Sequence, residues 1–132
     1  MADNSRLLRV AVDDNIAWCS RVCSAHGSNE MRSAGAWANL AVSPSFYPNI
    51  ITSGYGVRDE IEKLVPKVRL SNQARRWGIK DSFADLDLAE QGFEPIVTGS
   101  WYGAVVSSGP SSVGWKAVAS PAELEIASRE VV

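Results

Sequence analysis

The stretch Asp13–Gly27, Asp-Asp-Asn-Ile-Ala-Trp-Cys-Ser-Arg-Val-Cys-Ser-Ala-His-Gly, constrains the fold of this chain more than any other. It holds both cysteines, the single histidine and one of the five tryptophans. It also carries start and stop signals for a short helix. Asp13, Asp14 or Asn15 can accept hydrogen bonds from the first free amides, and the aspartates' charge suits the positive end of the helix dipole. Gly27 follows the last periodic residue, where a left-handed closing residue is common. Between these ends Ile16, Cys19, Cys23 and His26 share one helical face, with Trp18, Val22 and Ala25 on the adjacent one. The preceding run Leu7–Val12, interrupted by Arg9, reads as a half-buried first strand feeding that helix.

Two cysteines four apart on one helix rise along the same face and are poorly placed for a disulfide. The N-terminus has no charged region followed by an apolar one, and no apolar run reaches the roughly 20 residues that span a bilayer. A reduced, cytoplasmic protein is the expectation. Its 132 residues, 45% of them hydrophobic, suffice for one core and a single domain. The net charge of -2 gives no basic footprint for nucleic acid. Arg75-Arg76-Trp77 comes nearest to one and reads as a solvated turn.

Further along, Ser28–Ser33 is a loop by composition. Pro44 and Pro48 make the segment around Phe46 and Tyr47 an ordered loop, either a lid over the core or a pocket wall. Asn49–Thr52 reads as a short buried strand. A second helix begins near Tyr55–Val57, with Val57, Ile61, Leu64 and Val68 at helical spacing, and should weaken about Pro66; Arg69–Arg76 reads as a polar linker. Trp77–Lys80 reads as a strand, Asp81–Leu88 as a tight turn or a strand, and Phe93–Val106 as the longest strand. Residues 1–106 then form the core. Residues 107–132 supply a Ser/Gly linker, a last strand Val113–Ala119 and a helix opened by the capping box Ser120-Pro121-Ala122-Glu123. Leu124 and Ala127 would face inward. A well-capped helix so near the last residue looks like the start of something longer.

Asp14–Cys19, Val22-Cys23 and Ala25-His26-Gly27 resemble the N-terminal segment of two-domain bacterial proteins of the GNAT N-acetyltransferase group. The similarity continues in order through Ala36-Trp37, Phe46-Tyr47-Pro48, Lys80–Ala84, Leu86-Asp87-Leu88, Gly92-Phe93, Trp101 and Trp115, and closes at Val118 and Pro121–Leu124. It implies a GNAT-like α+β half, with a second domain normally following the helix that starts at Ser120. Such enzymes hold the coenzyme A pyrophosphate with a glycine-rich turn at a helix N-terminus. Neither Thr98-Gly99-Ser100 nor Ser108-Gly109-Pro110 supplies one, so no catalytic residue is carried over.

Cys19, Cys23 and His26 offer three soft ligands on one helix, whereas a structural zinc site draws four from separate elements; no metal is expected. A Cys23–His26 nucleophile pair lacks an orienting partner. The acidic cluster Asp81, Asp85, Asp87 and Glu90 reads as a solvated turn, with Asp81 the member best placed for a functional role. The tryptophans and tyrosines are the better argument, although core packing is the default for any single ring. Trp18, Trp37, Tyr47 and Trp101, with Asp81, are the candidate residues of a pocket for a small amine or other cation.

The expected fold is α+β, a mixed or antiparallel sheet with about three helices. The expected function is a module that binds a small molecule or a partner domain, with no cofactor and no acyl-CoA catalysis of its own. The alternative is an acyl-CoA-dependent N-acyltransferase using acetyl-CoA, acting as an oligomer or with a separate half. A purely structural, self-associating module is a third reading. The C-terminal helix is the expected contact with a second copy or partner domain.

Overall fold

A computed structural model describes residues 4–104, 117–123 and 125. Helix α1 (Asn4–Ala25) leads into strands β1 (Glu30–Ser33), β2 (Ala36–Asn39) and β3 (Ile50–Thr52). Helix α2 (Arg58–Ser71), strand β4 (Ile79–Lys80) and a short 3-10 helix (Ala89–Gln91) follow. The four strands lie side by side in chain order. β1 to β3 pair antiparallel, and β4 pairs parallel to β3 after the α2 crossover. The fold is α+β with a mixed sheet.

Each face of the sheet carries one helix, and strand alternation divides the core between them. Ala36, Ala38 and Ile50 pack with Val57, Ile61, Leu64, Val65 and Val68 from the α2 side. Trp37 and Ile51 pack with Val12, Ile16, Cys19 and Cys23 of α1. Ile79 joins the α2 side, so its neighbour Lys80, in register with Ile51, emerges on the α1 side. The loop between β2 and β3 is pinned by buried amides. Asn49 Nδ2 donates to the carbonyls of Asn39 and Ala41, and Asn72 Nδ2 donates to Ala41 from the end of α2.

Several elements differ from the sequence reading. Leu7–Val12 is not a strand but the first half of α1. The series Leu8, Val12, Ile16, Cys19 and Cys23 runs unbroken at helical spacing, with Leu8 half-buried and the other four buried. Asp13, Asp14 and Asn15 therefore stand in mid-helix and cap nothing. The C-terminal signal holds: Gly27 has φ +80, and its amide donates to the Ser24 carbonyl. Glu30–Ser33, inside the expected loop, is an edge strand closed onto β2 through Ala34-Gly35. α2 runs through Pro66 to Ser71, because Pro66 lies on the exposed side, where water can meet the carbonyl it leaves free.

Of the expected strand Trp77–Lys80 only Ile79–Lys80 pairs, and the following segment is no strand but a turn over residues 81–84 and irregular backbone over 85–88. Of the expected strand Phe93–Val106, residues 93–104 form no strand and Val105-Val106 lie outside the described residues. Among the described residues no neighbouring strand receives them, since β4 ends after two residues. Val113–Lys116 also lie outside the described residues, and 117–119 are not strand. The capping box is in place: Ser120 Oγ accepts from the Glu123 amide at 3.2 Å, with helical residues from Pro121. Leu124 and Ala127 lie outside the described residues.

Candidate functional site

Asn4, Leu7, Leu8 and Ala11 come from the first turns of α1, and Trp101, Tyr102 and Gly103 from the irregular segment beside it. Between them lies a cleft of about 370 Å³. Leu7 is half exposed there. Trp101 is fixed by its indole N–H, which donates to the Ser82 carbonyl at 2.9 Å. Ser82 is held in turn by its amide, which donates to Thr52 Oγ1 at 2.8 Å.

Trp101 also meets a cation. Lys80 Nζ stands 4.5 Å from the indole centroid and donates to Asn15 Oδ1 at 2.8 Å. Both Lys80 and Asn15 are half-buried. Cys19 lies on the same side of the sheet. Burial pushes its thiol pKa up, against the opposing pull of the Lys80 charge.

The sequence candidates are dispersed. Trp37 is 1% exposed, its N–H donating to Glu30 Oε1 at 2.8 Å, and serves the core. Trp18 lies on the outer face of α1 and donates to the Tyr47 hydroxyl at 3.3 Å. Tyr47 packs against the edge of the α1-side core. Asp81 Oδ2 accepts the Leu86 amide at 2.9 Å, whereas its Oδ1 is buried with no partner. Of the five, only Trp101 lines the cleft.

The other members of the acidic cluster have partners of their own, Asp85 at the Gly56 amide. Asp87 accepts the Ala89 amide and Glu90 pairs with Arg58. Cys19 and Cys23 are buried free thiols and His26 is exposed beyond the helix. Among the described residues no cluster of histidine, cysteine and carboxylate has the makings of a metal site.

Two features escaped sequence reasoning. Lys80 and Asn15 are 65 positions apart, and only the register of β4 beside β3 shows that they meet. The turn Ser53-Gly54-Tyr55-Gly56 joins β3 to α2, and its Gly-x-Gly between a strand and a helix was the available signal. Its Gly56 amide is taken by Asp85 Oδ2 at 2.8 Å. Asp59 and Glu60 then open α2, so carboxylates of the chain itself surround the helix N-terminus.

No family model matches this chain, and no curated protein or solved structure matches it.

Proposed function

We propose that this chain is a small-molecule binding module whose site is the cleft between α1 and Trp101–Gly103, with no acyl transfer of its own. The observation that carries the reading is the cleft itself: exposed Leu7 with half-buried Leu8 and Ala11 on one helix, beside an indole fixed by its hydrogen bond to Ser82. Half-exposed leucines gain from any apolar ligand that removes them from water, at about 25 cal/mol per Å² buried. The Gly56 amide, committed to Asp85 beside Asp59 and Glu60, favours a non-catalytic role over the acyl-CoA alternative implied by the GNAT resemblance. Two buried free thiols suit a reducing compartment such as the cytoplasm.

The test uses N-phenyl-1-naphthylamine, a neutral apolar dye that brightens when it leaves water. The expected result is saturable binding at one dye per chain, weakened at least about tenfold by Ala11→Trp, which fills the cleft. Equal binding by a folded Ala11→Trp variant removes the cleft as the site.

A partner-binding reading is favoured by a different observation. Ile96, Val97 and Tyr102 are each at least 87% exposed along one irregular segment. Sedimentation of the free chain, and of an Ile96→Ser/Val97→Ser variant, tests whether this segment mediates self-association. A wild-type monomer at micromolar concentration removes self-association.

A further inference from the structure

The geometry points to a small amphipathic carboxylate as the occupant of the cleft, its apolar body against Leu8 and Trp101 and its carboxylate met by Lys80 and Asn15. This rests on the reading of the cleft as a ligand site and adds the chemical class of the ligand.

The first support is continuity. Leu8, Ala11 and Asn15 are spaced three and four apart, so they form one stripe along α1. Asn15 stands about 6 Å along α1 from Ala11, one step past the residues that line the cleft. Trp101 joins the two regions, lining the cleft and standing 4.5 Å from Lys80 Nζ. The cleft and the cation thus share Trp101, although Lys80 and Asn15 are not themselves part of the cleft lining.

The second support is unmet bonding capacity. An ammonium has three donors, and one of those on Lys80 goes to Asn15 Oδ1. Among the described residues the ion pairs belong to Arg58 and Lys63, and no carboxylate reaches Lys80. The remaining donors of this half-buried ammonium can exchange water for an anionic ligand, which makes the stronger, charge-assisted bond. The Asn15 carbonyl faces Lys80, and its Nδ2 has no acceptor among the described residues, so it can add a neutral donor.

The third support is the sign of the charge. An amine, which the aromatic residues alone would invite, finds the Trp101 cation position already filled by Lys80. It would meet like-charge repulsion there. A phosphate dianion calls for more positive charge than one lysine. A monoanionic carboxylate matches one ammonium and one amide.

The test is calorimetric titration of the whole chain with 4-phenylbutanoate, 4-phenylbutan-1-ol and 4-phenylbutylammonium. These share an apolar body and differ only in the polar end. The expected result is that the acid binds at least about tenfold more tightly than the alcohol, with the ammonium weakest. Lys80→Met should bring acid and alcohol within about twofold, and Lys80→Arg should keep most of the preference. Equal affinity of wild-type chain for acid and alcohol overturns the carboxylate assignment, as does tighter binding of the ammonium. The wild-type comparison decides this even if a Lys80 variant fails to fold. If none of the three binds, the assignment falls; the cleft reading falls with it only if the neutral dye also fails.

Discussion

Lys80 Nζ and Asn15 Oδ1 lie 2.8 Å apart, and their hydrogen bond ties the last paired strand to the middle of the first helix. The two partners differ in what their loss leaves behind. Asn15→Ala strands a half-buried ammonium, whereas Lys80→Met removes the charge and keeps an unbranched side chain against the indole. Asn15→Ala is therefore expected to cost about 1.5–3 kcal/mol and Lys80→Met under about 1 kcal/mol. Urea unfolding of both variants measures the difference. Equal losses would mean that the ammonium is satisfied elsewhere.

Gly35 and Gly27 both have positive φ, at +105 and +80, yet only one is crowded. A Cβ at Gly35 would lie 2.4 Å from Val57 Cγ1, while one at Gly27 would meet nothing within 4 Å. Valine is stiff and Val57 is buried in the α2-side core, so it cannot turn away. Gly35→Ala should cost about 3 kcal/mol, combining backbone strain with overpacking, and Gly27→Ala about 1 kcal/mol from strain alone. Adding Val57→Ala to Gly35→Ala should return only the steric part. Thermal or urea unfolding of the single and double variants separates the two contributions.

The contrast between α1 and the segment after Gly92 shows what the sequence could convey. The apolar series from Leu8 to Cys23 made a helix legible, and Gly27 marked its end. Its beginning was misplaced because Asp13, Asp14 and Asn15 are good capping residues wherever they stand, and a local signal cannot tell a cap from an exposed helical face. In Phe93–Ala104 the alternation suited a strand, but a strand needs a neighbour with free backbone groups, which is a property of the whole sheet. The site follows the same division. Trp101 was legible as a large ring seeking a polar partner. Its partners Lys80 and Ser82 were not, because their positions depend on the register of β4. Trp37, chosen on the same grounds as Trp101, went to the core, since indole composition does not distinguish a sealed site from an open one.

Acetyl-CoA supplies a sharper test of the turn between β3 and α2. The Gly56 amide is bonded to Asp85, and two more carboxylates open the helix. A pyrophosphate arriving there would have to displace one negative charge and face two others. No change in the unfolding midpoint is expected at millimolar acetyl-CoA, for the wild type or for Asp85→Asn. A rise of several degrees in the wild type, which binding to the folded state produces by mass action, would restore the acyltransferase reading.

Cys19 should reveal itself at alkaline pH. It lies in the α1-side core, and burial raises its thiol pKa despite the nearby Lys80 charge. A group whose folded pKa lies above its unfolded value binds more protons in the folded state over the interval between the two. Its contribution to stability is then fully present below the ordinary thiol pKa and is lost as pH rises through the folded one. Unfolding titrations from neutral pH to about pH 10 should show wild-type stability declining more steeply than that of Cys19→Ala, which has no thiol to ionise. Cys19→Ala is less stable at neutral pH through lost packing, so the comparison is of slopes and not of absolute values. Parallel slopes would mean that the thiol ionises as readily in the folded chain as in the unfolded one, the Lys80 charge then offsetting the effect of burial.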